Sequence, residues 1–192
     1  MASNKIKYGL EKAYYALITE NTDGNGNTVY TYGSPKALPG AVSLSLEASG
    51  DLVKFYADDV VYWQGAANNG YDGDFELAYF PETARADLLN EVKGADNVYY
   101  EYGDKQPAKF AFLFKFLGDQ KGRLHVLYDC MLSRPSLEGQ TKEDTIEPQT
   151  ETLTISAVPR PQDGLCKASV DGSETVAASW FSAVHEPAAA SS

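Results

Sequence analysis

From position 110 to 116 every second residue is phenylalanine. Phe110, Phe112, Phe114 and Phe116 therefore share one face of an extended chain, against Lys109, Ala111, Leu113 and Lys115 on the other. Successive side chains of a strand point to opposite faces, whereas a helix repeats every 3.6 residues, so this pattern demands a β-strand with a buried face. The same period of two recurs. Val42, Leu44 and Leu46 alternate with Ser43, Ser45 and Glu47. Leu124, Val126, Tyr128, Cys130 and Leu132 read as one inward face, against Arg123, His125 and Asp129. Leu153, Ile155 and Ala157 form another. Shorter strand-like runs occupy residues 14–19, 28–32, 53–56, 60–63, 75–80, 98–102 and 165–170, rich in β-branched and aromatic residues.

Turn chemistry separates these runs. Asp23-Gly24-Asn25-Gly26-Asn27 reads as a hairpin tip. Gly118-Asp119-Gln120-Lys121-Gly122 lies between the two strongest strands and predicts an antiparallel hairpin. Two stretches carry helical spacing. Residues 82–92 follow Pro81 and place Arg85, Leu88, Leu89 and Val92 on one stripe. Residues 174–184 place Val176, Trp180 and Val184 four apart, and Asp171 with Glu174 resembles a capping box, with Ser173 as a rival cap. The expected architecture is mainly β with short helices: a β-sandwich or open barrel with a helix packed alongside. Its core should contain Phe110, Phe112, Phe114, Phe116, Leu153, Ile155 and Trp180. Residues 1–186 read as a single domain and 187–192 as a small, polar, disordered tail.

Charge narrows the function classes. The net charge is −11, with 27 acidic against 16 basic residues scattered without a basic stripe. Such a surface repels a phosphate backbone. Cys130 and Cys166 make no CxxC pair and no cluster with the two histidines, so both read as buried, reduced thiols. No signal peptide is expected at the N-terminus, and no run approaches the roughly 18 apolar residues of a membrane span. Catalytic motifs are missing as well. Residues i and i+4 of a strand lie roughly 13 Å apart, so Asp129 cannot bond His125 directly. No G-x-S-x-G elbow, Walker A or G-x-G-x-x-G motif occurs. Asp23-x-Asn25-x-Asn27 begins like a calcium loop, but Thr28 stands where Gly is needed and Ser34 where Glu is needed. No enzyme activity, metal or cofactor is expected.

Several segments, in order along nearly the whole chain, resemble the major tail tube protein family of long-tailed, non-contractile phages of Gram-positive hosts. They are Asn4-Lys5-Ile6-Lys7-Tyr8-Gly9-Leu10 with Tyr14-Tyr15-Ala16; Leu38-Pro39-Gly40-Ala41-Val42-Ser43-Leu44-Ser45-Leu46; and Phe55-Tyr56-Ala57-Asp58-Asp59. Asn68-Asn69-Gly70-Tyr71-Asp72-Gly73-Asp74 is the most distinctive. His125-Val126-Leu127-Tyr128, Ser133-Arg134-Pro135-Ser136, Thr141-Lys142-Glu143-Asp144 and Trp180-Phe181 follow. Residues 186–192 depart from the family pattern. The resemblance implies the tail tube fold and hexameric rings whose inner strands join into one barrel. The rings stack into a tube around a tape-measure protein, with a tail terminator and a distal tail protein at the ends. DNA then passes through the lumen without specific binding. The expected location is the virion tail, assembled in the host cytoplasm, with no membrane partner.

Two residue sets follow from that expectation. Residues 55–84 hold six carboxylates and no Lys or Arg. Asp58, Asp59, Asp72, Asp74 and Glu76 are expected to line the lumen, where negative charge lets DNA slide; the plain alternative is a solvated outer loop. Residues 51–71 are expected to reach an adjacent subunit or ring through Tyr56, Tyr62, Trp63 and Tyr71, the alternative being a hairpin over its own core. The polar stretch 135–149 is expected to be mobile in the free chain and ordered in the tube. Two other readings stay open: a binding or adhesion module of β-sandwich type, with its aromatics as a platform, and the tube subunit of a phage-like bacteriocin or type VI secretion machine.

Overall fold

The computed structural model of the chain describes residues 9–118, 121–136 and 150–187. Residues 137–149, which include most of the polar stretch and the Thr141–Asp144 motif, lie outside the described residues, as do Asn4 to Tyr8 and residues 188–192. In chain order the strands are β1 (Leu10–Thr22), β2 (Thr28–Tyr32), β3 (Lys36–Ala37), β4 (Ala41–Ser49), β5 (Leu52–Ala57), β6 (Val60–Ala66) and β7 (Gly70–Leu77). A helix, α1 (Glu82–Leu89), comes next. It is followed by β8 (Val92–Lys93), β9 (Tyr99–Tyr100), β10 (Phe110–Phe116), β11 (Leu124–Leu132), β12 (Glu151–Ala157) and β13 (Lys167–Val170).

The main sheet runs β2-β1-β10-β11-β12-β7-β4, with β3 added to β1 and β13 to β11. Every pairing is antiparallel. The protein is thus mainly β, built from antiparallel strands with one α-helix among the described residues. The sheet curls until β4, its last strand, comes back beside β1 without pairing to it. Inside the curl lies the larger core, made by Phe75, Leu77, Phe110, Phe112, Phe114, Leu127, Leu153 and Ile155, and closed by Ala84, Leu88 and Leu89 of α1. Each such side chain contributes roughly 1.5–3 kcal/mol of hydrophobic stabilisation. Phe112 is central, with ring contacts to Phe75, Phe110 and Phe114 at 5.1, 6.4 and 5.4 Å. Phe116, at the end of the row, is half-buried.

Three expectations need correcting. The β11 residues do not share one face. Phe110 opposes Cys130 while Phe112 opposes Leu127, so β11 carries an extra residue. That bulge reverses the alternation. Leu124, Val126 and Tyr128 join a second core on the outer side of the sheet, with Ala16, Ala111, Leu113 and Trp180. Leu127, Cys130 and Leu132 point into the first core. Asp129, expected on a polar face, is buried and accepts a 2.8 Å hydrogen bond from Tyr30 Oη. In β4 a bulge at Ala41/Ser43 turns Val42 outward. Both cysteines are buried free thiols.

The two helical stretches are also shorter than their periodicity predicts. α1 stops at Leu89 because Asn90 adopts a left-handed conformation (φ 56°) and its side-chain amide donates to Gln106 O. Val92 then pairs in β8. Residues 174–184 form only a 3₁₀ turn, Thr175–Ser179, with Glu174 extended before it and Asp171 accepting from Ser173 N–H. Lying flat on the sheet, the segment brings Ala177, Trp180, Phe181 and Val184 all onto the second core, more than one helical stripe would deliver.

This C-terminal strap is fastened by Arg160, whose side chain is 2% exposed. Its guanidinium makes paired contacts with Asp163 (2.7 and 2.7 Å) and with Glu186 (3.1 and 2.8 Å), and lies 4.8 Å from the Tyr128 ring centroid. Tyr128 Oη donates to His185 O at 2.7 Å, and burial pushes that phenol up to about 12. Arg160→Leu should therefore loosen the strap. The carboxylates left behind are 40% and 46% exposed. The cost should thus fall below that of breaking a fully buried pair, at about 2 kcal/mol, read as a lower melting temperature with altered Trp180 fluorescence. An unchanged melt would show that the clamp is dispensable. Arg160 also holds the Asp163 carboxyl below its usual range. A depressed carboxylate stabilises the fold above its unfolded value, about 3.9, and that contribution is lost as pH falls. The variant should lack this part of the acid dependence.

Candidate functional site

Beyond Ser49 and Gly70, strands β4 and β7 continue as one ribbon into β5 and β6. Asn69 N donates to Ser49 O and Ala67 N to Asp51 O, so two backbone hydrogen bonds bridge the junction. Gly50 and Gly70 have φ of 140° and 107°, and a Cβ on either would fall 2.0 Å from Ala67 O or 1.8 Å from Ala157 O. Only glycine fits both positions. Past the junction, β5 and β6 pair with each other in a separate two-stranded sheet and form an arm.

The arm closes through Asp58 and Asp59, both left-handed (φ 51° and 59°), as in the two-residue turns that match strand twist. Phe55 opposes Trp63 and Tyr56 opposes Val61, which leaves Tyr62 as a bulge. The Trp63 indole lies over Gly65, where a Cβ would come 2.2 Å from Cη2. Tyr62 is 74% exposed, Tyr56 61% and Trp63 55%, and Val53, Val60 and Val61 are exposed too. No other element of the described residues packs closely on the arm.

A second surface lies on the outward face of β7, where Asp72, Asp74 and Glu76 alternate with the inward Tyr71, Gly73, Phe75 and Leu77. Hydroxyls from both neighbouring strands brace the carboxylates. Ser156 Oγ donates to Asp72 at 2.6 Å and Thr154 Oγ1 to Asp74 at 3.0 Å. Thr150 and Ser43 donate to Glu76 at 2.5 and 2.8 Å, which holds that carboxyl below its usual value, Thr150 having the larger effect. Glu47 of β4 stands opposite Asp72, a like-charge pair that costs stability.

The structure therefore divides the five acidic residues singled out in the sequence. Asp72, Asp74 and Glu76 form one face, whereas Asp58 and Asp59 sit apart on the arm tip. It divides the aromatics likewise. Tyr56, Tyr62 and Trp63 belong to the arm, but Tyr71 is half-buried in β7, with Lys167 Nζ donating to its hydroxyl at 2.8 Å and lying 4.4 Å from its ring centroid. Glu47 was missed as a member of the acidic face, although Ser43-x-Ser45-x-Glu47 already marked the outward side of β4. Nothing in the sequence pattern pointed to Arg160.

Elsewhere the polar groups serve the fold. Asp23 Oδ1 accepts from the N–H groups of Asn25 and Asn27, both at 2.8 Å, and these bonds hold its carboxyl below its usual value. Among the described residues, no group of three or more His, Cys, Asp or Glu is placed to hold a metal. The His125 ring stacks on Phe114 at 5.1 Å and the His185 ring on Trp180 at 5.5 Å. No helix among the described residues is long and apolar enough to cross a membrane. In comparisons with known proteins, no family model and no curated sequence matches the chain.

Proposed function

We propose that this chain is a structural subunit that assembles with copies of itself into stacked hexameric rings, as the tail tube protein of a long-tailed, non-contractile phage, and that it is not an enzyme. The observation that carries the reading is the arm. A hairpin whose aromatics and valines face water, and on which no other element of the described residues packs closely, is costly in a solitary chain and suits one that is covered by a neighbour. The order of the resembling segments along the sequence supports the same reading.

In such a tube the face of Asp72, Asp74, Glu76 and Glu47 lines the lumen. No Lys or Arg interrupts it on β7, and it repels a passing phosphate backbone instead of trapping it. Tape-measure protein, tail terminator and distal tail protein are the partners this role calls for. The test is size-exclusion chromatography of the purified chain with negative-stain microscopy across a concentration series. Rings or tubes are expected. A monomer at every concentration, even after seeding with tail fragments, sinks the reading and favours a binding module that uses the arm aromatics as its platform.

A further inference from the structure

One other region combines exposed apolar side chains with free charge. Within the loop between α1 and β10, the stretch 92–106 is pinned at its base where Asn90 Nδ2 donates to Gln106 O at 2.6 Å. Val92, Val98, Tyr100 and Tyr102 along it are all exposed. Two of its three carboxylates are occupied: Asp96 accepts from Tyr100 Oη at 2.8 Å, and Glu101 pairs with Arg134 at 2.9 Å. Its third carboxylate, Asp104, neighbours Lys105 in the chain, and its two cations are Lys93 and Lys105. Lys93 Nζ lies 5.3 Å from the Tyr99 ring centroid, and neither Lys93 nor Lys105 meets a carboxylate among the described residues. The arm tip is the counterpart, with Asp58 and Asp59 unpaired among the described residues beside Val60, Val61, Tyr62 and Trp63.

From this complementarity we infer that the arm of one copy docks on the 92–106 loop of a second copy. The tip carboxylates meet Lys93 and Lys105, and Tyr62 and Trp63 pack against Tyr100 and Tyr102. This rests on the tube reading and names the surface that receives the arm. Arm and loop are different patches of one chain, so the contact is head-to-tail, the kind that closes into rings or extends into filaments. Tyrosine and tryptophan are the residue types that dominate the energetics of such contacts.

Two measurements test it. The chain's own cysteines are buried, so thiols introduced by Tyr62→Cys and Tyr100→Cys report the contact alone. A chain carrying both should give a ladder of covalent oligomers on mild oxidation, and each single variant should not. Separately, Lys93→Glu with Lys105→Glu should raise the concentration needed for assembly about tenfold or more. Adding Asp58→Asn and Asp59→Asn, which suit a left-handed turn, should recover part of that loss because the new repulsion is gone. Tubes that form without a ladder, or charge effects that merely add, remove this contact and leave the tube reading standing. A parent chain that never assembles removes both.

Discussion

Gly73→Val is expected to leave little folded protein, although the residue lies in the middle of a regular strand and its φ is not positive. Gly73 pairs with Leu46 of β4 on one side and Ile155 of β12 on the other. A Cβ there would sit 1.9 Å from Ser45 O and 2.9 Å from Leu46 Cα. Those atoms are backbone of the neighbouring strand and cannot rotate away. Relief requires β4 to peel from β7, which breaks their ladder and uncovers the apolar side chains Leu44 and Leu46. Overpacking alone costs about 1–3 kcal/mol, and lost strand pairing adds to it. A total above about 3 kcal/mol is a large part of the roughly 5–15 kcal/mol that holds a domain folded. Gly103→Ala is the control, since a Cβ at Gly103 meets nothing within 4 Å. The check is thermal melting followed by circular dichroism. If Gly73→Val melts like Gly103→Ala, the tight approach of β4 and β7 is not what holds this edge of the sheet.

That glycine illustrates what was legible in the sequence and what was not. Alternation in residues 109–116 and 152–158 located β10 and β12 and the residues that fill the larger core, because a strand with one buried face must repeat every two residues. The hairpin from β10 to β11 was readable from its polar, glycine-flanked turn. What failed was inference of face from periodicity across an irregularity. A single extra residue in β11 sends Tyr128 outward and Cys130 inward, and no local signal announces it. The second core was hidden because Ala111 and Leu113 looked like the outer face of β10, and nothing local says that a strap bearing Trp180 will cover them. Arg160 was invisible for the same reason, its partners Tyr32 and Glu186 being 128 and 26 residues away. For the candidate site, an aromatic, acidic segment in 51–71 was readable, but its division was not. The change of sheet at Gly50 and Gly70 puts Asp58, Asp59, Tyr62 and Trp63 on the arm and keeps Tyr71, Asp72 and Asp74 in the main sheet.

Replacing Tyr62 and Trp63 together with serine should abolish assembly while sparing the fold. Both side chains are more than half exposed in the single chain, and no other element of the described residues packs closely on the arm, so the variant should melt within about 0.5 kcal/mol of the parent. In the proposed tube each would be a buried aromatic anchor. Truncating such anchors costs about 2 kcal/mol each, which together weakens one contact by roughly three orders of magnitude. In the proposed tube every copy would both give and receive an arm, so the loss should recur at each junction. The parent offers an internal reporter, because Trp63 and Trp180 are its only tryptophans. Trp180 is already buried and should not respond to assembly, whereas Trp63 emission should shift to the blue as rings form. Trp63→Phe should keep assembly and lose the shift. A serine variant that builds tubes at the parent's concentration would show that the arm is not an interface. One that melts far below the parent would show that the arm belongs to its own domain after all.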